Sequence, residues 1–426
     1  MEGRKIFAPK IILDDDIPET FRMSSGKGFQ KRKSSPKIKP PSVIRISSEK
    51  KLKPEPFQML PGDEFEKMVL EKKTPPIIEI SDNGSQEEFK EVVENSIIKL
   101  PPNQDRKNSI QMKVNKKLGS GSYGDVFSVS PVDPSSIPDY FPKNKEYALK
   151  IMKKYKNIRS FEYEQKIMNL ITSKYSDKTN KCGDHILCYF DISQDKSERF
   201  YLLSEKMDGD VSDYNEKYSK NKYKLALKVF QQTLTGLLEL SEVGLLHRDL
   251  KPENLLYQIP RSDKGRLKPS DIKIKITDFG LSCLPSSKDL RCGKTEAGTP
   301  KYWDPRIPYL VYSGKAKNMD QIWDQTNDTY SLAVLLYEIL FGNYLTTEEY
   351  KKIKPKNNIT TQGILEGYQK IYDENMVFVN DMIQKYKSTK TKESKQIVKM
   401  LEFMKRNLDP FSQNRTDYKD SYIFYI

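Results

Sequence analysis

His247-Arg248-Asp249-Leu250-Lys251-Pro252-Glu253-Asn254 is the stretch on which the reading of this chain turns. An Asp, a Lys two residues later and an Asn five residues later recur together in few kinds of loop. The three side chains suit phosphoryl transfer. A carboxylate can orient a hydroxyl and accept its proton, a cation can steady a moving phosphate, and an amide oxygen can help hold a magnesium ion. Working outward, Leu225–Val243 carries Leu227, Phe230, Leu234, Leu237, Leu238 and Leu240 at steps of three and four, which predicts an amphipathic helix leading into the loop. After the loop, a polar insertion at Ile259–Pro269 precedes an alternating strand, Ile272–Ile276, which runs into Thr277-Asp278-Phe279-Gly280.

Further upstream, Ile110, Met112 and Val114 alternate with polar residues. Leu118-Gly119-Ser120-Gly121-Ser122-Tyr123-Gly124-Asp125-Val126 follows, and then Phe127 and Val129 continue a strand pattern. Glycines at these positions allow a backbone to approach phosphates where a Cβ would clash. A dinucleotide-binding loop has the same spacing, but it passes from strand into helix. Here the pattern is strand–loop–strand. Pro131–Lys145 reads as an insertion, and Tyr147–Met152 as a strand that holds Lys150 among apolar neighbours. A helix is expected next, with Ile158, Phe161, Ile167, Met168, Leu170 and Ile171 on its apolar face.

Taken together and in this order, the G-x-G-x-x-G hairpin, the A-x-K strand, H-R-D-L-K-P-E-N and D-F-G resemble the eukaryotic-type protein kinases, with Lys251 marking the serine/threonine branch. The resemblance covers about residues 110–415. It implies an α+β, bilobal fold with a small β-rich lobe carrying one helix (110–204), a hinge (205–209) and a larger, mainly helical lobe (210–415). It also implies ATP and Mg²⁺ as cofactors and proteins as substrates. ATP would bind under Leu118–Val126, with Lys150 at its α- and β-phosphates and Glu164 (or, should the helix register slip, Glu162) as the partner of Lys150. Glu205 and Met207 would meet adenine at the hinge, beside Ser204 in the gatekeeper position, with Asp210 near the ribose or a basic substrate residue. Asp249 would be the catalytic base, Lys251 the phosphate-steadying cation, and Asn254 and Asp278 the metal ligands. Asp328 would hold the catalytic-loop backbone from below, and Glu253 could favour basic substrates.

Gly298-Thr299-Pro300-Lys301-Tyr302 resembles the segment that receives the residue after the phosphoacceptor. On this alignment Thr299 reaches Asp249 and Lys251. Thr295 is a possible phosphosite whose phosphate could pair with Arg248, with Ser282, Ser286 and Ser287 as weaker candidates and plain solvated hydroxyls as the alternative. The departure from the family is Asp304-Pro305-Arg306, where A-P-E is expected. The family Glu pairs with a late Arg, here Arg415. Two guanidinium groups repel, so the anchor must differ, and Asp304 could take it over.

The remainder sets bounds. The chain has 426 residues, and its net charge of +14 suits acidic partners without choosing among them. In residues 1–60, 14 Lys/Arg face 7 Asp/Glu amid recurring Pro and Ser. Residues 1–105 are therefore expected to be a disordered leader, apart from short helices at Glu64–Leu70 and Gln86–Leu100. Lys31-Arg32-Lys33 reads as an ordinary basic tail or as a nucleic-acid or targeting patch. Residues 416–426 are expected to pack as a tail. The four cysteines, Cys182, Cys188, Cys283 and Cys292, are too few for a disulfide scaffold and fit a reducing interior. Zinc at Cys182, His185 and Cys188 lacks a fourth ligand. No signal peptide or membrane span is legible, so a soluble intracellular protein is expected, cytoplasmic or nuclear. Two rival functions stand beside the enzyme: a pseudokinase scaffold, and nucleic-acid binding through the leader.

Overall fold

Alternating apolar and polar side chains dominate residues 97–205, and this period folds as a sheet. The computed structural model describes residues 77–78, 92–103, 106–121, 124–138, 141, 146–152, 158–174, 183–195, 199–218, 221–260, 271–292, 297–312, 322–344 and 361–426. All of them lie in one compact unit, Pro75–Ile426. The basic cluster of residues 1–60, the Glu64–Leu70 helix, Ser122, Tyr123, Cys182, most of the Ile259–Pro269 insertion and Thr295 lie outside the described residues.

The sheet has seven strands: β1 (Ile77–Ile78), β2 (Ile97–Leu100), β3 (Ile110–Gly121), β4 (Gly124–Pro131), β5 (Tyr147–Met152), β6 (Tyr189–Gln194) and β7 (Phe200–Glu205). Their order is β1-β2-β3-β4-β5-β7-β6, antiparallel except for β1 with β2. Ile110, Met112, Val114, Val129 and Leu149 point to one face and are fully buried there. Helix α1 (Ile158–Lys174) packs Ile167, Met168 and Ile171 into the second, larger core.

One expectation is corrected here. Gln86–Leu100 was read as helical, but Ile97–Leu100 is a strand paired with Ile110–Lys113 of β3. Its Ile98 and Leu100 are buried while Lys99 is exposed, which is a two-residue period. A free sheet edge offering unpaired backbone groups outweighs weak helical spacing. The chain just beyond is pinned too. Asn103 Nδ2 and Arg106 Nε donate to Asp191 Oδ2 of β6 at 2.8 and 3.1 Å. Packed structure thus begins before residue 110.

The second half is helical, as the resemblance implied. It contains α2 (Val211–Tyr218), α3 (Lys222–Ser241), α4 (Arg306–Tyr312), α5 (Gln325–Phe341), α6 (Thr361–Ser388), α7 (Lys392–Asn407) and α8 (Tyr418–Tyr425). A small antiparallel sheet of β8 (Gly209–Asp210), β9 (Leu255–Gln258) and β10 (Lys273–Ile276), in the order β10-β9-β8, lies among them. Helix α5 is the central post. It starts from a capping box, in which Asp324 accepts from Thr326 N–H and Asn327 Oδ1 accepts from Asp324 N–H. It stops at Gly342, with φ at +96°. Leu332, Val334, Leu335 and Leu336 are fully buried, each contributing roughly 1.5–3 kcal/mol relative to exposure. A helix apolar all round must sit inside other elements, and α3, α7 and α8 surround it. Among the described residues, no helix is long and apolar enough to cross a membrane.

Candidate active site

Helix α3 hands the chain to Leu246, whose backbone exchanges two hydrogen bonds with Cys283 at 2.9 and 3.0 Å. The next residue, His247, is buried. One ring nitrogen lies 2.9 Å from Thr277 O, and the ring meets Phe279 edge-on at 5.6 Å. The stretch 247–254 and the stretch 277–280 are therefore fastened side by side. From below, Asp328 in the first turn of α5 accepts from the backbone N–H groups of His247 and Arg248 at 2.7 and 2.8 Å. Arg248 and Asp278 have left-handed backbones, with φ at +68° and +63°. Non-glycine residues hold that conformation only where their surroundings over-determine it.

The polar side chains of the loop converge on one carboxylate. Asp249 Oδ2 accepts from Lys251 Nζ at 2.7 Å and from Asn254 Nδ2 at 3.0 Å, and Asp249 Oδ1 accepts from Thr299 Oγ1 at 2.7 Å. Lys251 Nζ also donates to Thr299 Oγ1 at 3.0 Å. Asn254 Nδ2 has a second acceptor in Asp249 O at 2.8 Å. With its nitrogen committed, Asn254 offers an oxygen, and among the described residues no donor takes it.

Lys150 of β5, Glu164 of α1 and Asp278 form the second group. Lys150 Nζ lies 4.0 Å from Asp278 Oδ1. A Cβ built on Gly280 would sit 3.6 Å from both Asp278 Oδ1 and Glu164 Oε2, so the two acids flank one point. Glu164 is buried and Glu162 is exposed, so the geometry brings Glu164 to the cluster. Burial pushes the Glu164 carboxyl up to about 7, with Lys150 pulling it down and Asp278 pushing it up. Among the described residues, its Oε1 has no hydrogen-bond partner. The Asp278 carboxylate is 30 % exposed. Asp278 and Asn254 together present hard oxygen donors in the number a hydrated Mg²⁺ takes from protein when phosphates complete its shell.

In the glycine-rich hairpin, Leu118 is exposed, and nothing lies within 4 Å of a Cβ placed on Gly119. Ser120 Oγ donates to Asp125, and Val126 pairs with Lys150 across β4 and β5. Gly124 has a different reason to be glycine than phosphate access. A Cβ there would meet Ile151 O at 2.3 Å, so the close approach is to β5 itself. At the expected hinge, Glu205 Oε1 accepts from Lys275 Nζ and Cys188 N–H at 2.6 and 2.8 Å. Among the described residues, no backbone carbonyl accepts from the Met207 N–H.

The segment after Asp278 is tied down repeatedly. Arg248 Nε donates to Leu281 O at 2.6 Å, and its guanidinium stacks 4.9 Å above the Trp323 ring. Tyr163 of α1 donates its hydroxyl to Ser282 O at 2.8 Å and lies 3.1 Å from Leu290 O. Gly298 has φ at +93°, and a Cβ there would meet Arg248 O at 2.3 Å, so glycine is required. Cys283 and Cys292 are joined in a disulfide, with Cα atoms 5.0 Å apart. The cysteine count gave no expectation of this bridge. The loop between these two folds back on itself and brings them within bridging range.

Asp304 does take over the anchor. It is buried and accepts from both Arg415 and Arg306, the latter through Nη2 at 2.8 Å, and from Asn327 Nδ2 at 3.1 Å. Arg306 also reaches Asp324 Oδ2 at 2.9 Å and Thr326 Oγ1 at 2.7 Å. The two guanidinium groups thus meet through the one shared carboxylate of Asp304 rather than directly. Burial alone would raise the Asp304 carboxyl, but Arg306 and Arg415 hold it well below the usual carboxylate range.

Sequence reasoning passed over Tyr163, Trp323, Asp324 and Tyr418. Only Asp324 carried a signal, as an acid placed three residues before Asn327 at a helix start. The other three are ordinary aromatics until the chain is folded. Comparison with known proteins agrees with this geometry. The family described as "Protein kinase domain" matches residues 112–419. A curated relative, "Serine/threonine-protein kinase PKH2" of Candida albicans, is 26% identical over 256 residues, which is 58% of this chain. The match spans 23% of that relative's own length.

Proposed function

Because the chain belongs to the protein kinase family, we propose that it is an ATP-dependent serine/threonine protein kinase. The observation that carries the reading is the convergence of Lys251, Asn254 and Thr299 on Asp249. In this proposal Asp249 orients the substrate hydroxyl and takes its proton. The hydroxyl oxygen bonds to the γ-phosphorus while the bond from that phosphorus to the β,γ-bridging oxygen breaks, and ADP leaves. Lys251 steadies the transferred group, and Thr299 keeps Asp249 and Lys251 in register. Lys150 binds the α- and β-phosphates, Glu164 supports Lys150, and the backbone at Glu205 and Met207 meets adenine. Asp278 and Asn254 would hold Mg²⁺, which when bound neutralises charge on the phosphates. Positioning and preorganised charge supply most of the acceleration. The Lys251–Thr299 contact and the similarity to a serine/threonine-protein kinase support the serine/threonine assignment.

The test is transfer of labelled γ-phosphate to a generic basic protein with Mg²⁺. Wild-type protein should label it, and Asp249→Asn should lower kcat by about 100-fold or more. Phosphoamino-acid analysis should return phosphoserine or phosphothreonine, whereas phosphotyrosine would overturn the assignment. Folded wild-type protein that binds ATP yet labels nothing would favour a scaffold.

A further inference from the structure

The Asp328 carboxylate is fully buried and carries the catalytic-loop backbone through two N–H groups. A carboxylate can do this only if it is itself held. Its first turn of α5 supplies the backbone, but a third donor fixes the side chain. Tyr418, the first residue of α8, is fully buried and donates its hydroxyl to Asp328 Oδ2, the oxygen that also accepts from His247 N–H. Tyr418 is set there from both sides. Its own N–H donates to Gln325 Oε1 at 3.0 Å. One residue earlier, Asp417 caps α8 by accepting from Asp420 N–H at 2.8 Å. One further back, Thr416 O accepts from Thr329 Oγ1 of α5 at 3.0 Å. The start of α8 is therefore stitched to the first turn of α5 at three points.

The loop needs such support. Arg248 sits at φ +68°, a conformation that relaxes unless its neighbours prevent it. The contacts that hold Arg248 are the Leu281 carbonyl, the Trp323 ring and Asp328. Of these, Asp328 is the one that also holds His247, immediately ahead of Asp249 in its loop.

We propose that Tyr418 is a positioning residue, whose hydroxyl locks Asp328 and through it the backbone that carries Asp249. The C-terminal helix is thereby a working part of the catalytic lobe. The effect on turnover rests on the proposed kinase activity, whereas the effect on the loop does not.

The experiment is Tyr418→Phe in the full chain, which keeps the ring and its packing and removes one hydrogen bond to a charged acceptor. Hydrogen exchange resolved at the His247 and Arg248 amides should speed up by about tenfold. Amides of β4 and β5, such as Val129 and Leu149, should be unchanged. In the phosphotransfer assay kcat should fall by about tenfold, with KM for ATP within about twofold of wild type. Unchanged exchange at His247 and Arg248, a uniform acceleration across the molecule, or a local acceleration with unchanged kcat would each overturn the proposal. If wild-type protein transfers no phosphate, the kinase reading fails, and the exchange measurement alone decides whether Tyr418 holds the loop.

Discussion

Glu164 and Asp304 are both buried carboxylates facing cations, and the protein treats them in opposite ways. Asp304 touches two guanidinium groups, an amide and a backbone N–H, and is held well below the usual range. Glu164 has Lys150 as its countercharge and Asp278 as a repelling neighbour, leaves Oε1 unbonded, and is pushed up to about 7. Burial is common to both, so what separates them is the number and closeness of donors. The satisfied site is built to stay. The less satisfied one lies beside the place proposed for phosphates, with burial and Asp278 raising it and Lys150 lowering it.

The most severe way to break this contrast is Asp304→Ala. It leaves the buried Arg415 without its carboxylate and Arg306 with that of Asp324 alone, and should cost about 3–5 kcal/mol of stability, read as a lower urea midpoint. A loss of less than about 1 kcal/mol, the size of a surface ion pair, would show that the cluster is not an anchor.

The second way uses pH. The folded-state value for Glu164, about 7, lies above its ordinary 4.5. Between these values the folded protein keeps a proton that the unfolded chain has released, so its contribution to stability falls as pH rises through that window. The whole span is on the order of 3 kcal/mol. Asp304 has the opposite sign: its contribution is present above its ordinary 3.8 and is lost as pH falls below it. Glu164→Gln should therefore flatten the decline between pH 4.5 and 7 in thermal melts. A slope identical to wild type would mean that Glu164 does not titrate in that window.

The smallest effect belongs to Arg306→Ala. Asp304 keeps Arg415, so the loss should be about 1–2 kcal/mol. Replacing Arg306 by Glu, the residue the family carries there, should be worse than Ala, because the new acid would face Asp304 and Asp324. Recovery of stability with Glu would refute the shared-carboxylate arrangement.

What could be read beforehand follows from how local each signal is. Asp249, Lys251 and Asn254 are close in sequence because one loop must present them together, so their spacing was legible. Lys150 was legible inside a recognisable strand and Asp278 just past the end of another. Glu164 was preferred to Glu162 on its local pattern, and Glu164 is the buried one of the two. The strand at Ile97–Leu100 was misread because Ile-Ile-Lys-Leu does not alternate in sequence, and what decides it is the edge of β3 with which it pairs. The Cys283–Cys292 pairing depends on how a loop returns, which spacing does not encode. Tyr163, Trp323 and Tyr418 act across separations of 75 to 120 residues or so in sequence, and no local pattern marks them.

The short strand β2 matters for how the protein behaves once it leaves the ribosome. It covers the outer edge of β3 with main-chain hydrogen bonds and lays Ile98 and Leu100 over the core beneath. A chain cut back to residue 110 would keep every residue proposed for chemistry. It would also expose the backbone amides and carbonyls of Ile110–Lys113 that β2 now pairs, beside bared apolar surface, the kind of edge on which copies of a protein stack. For this molecule, the strand that closes the edge of β3 lies outside residues 112–419, the part that matches its family.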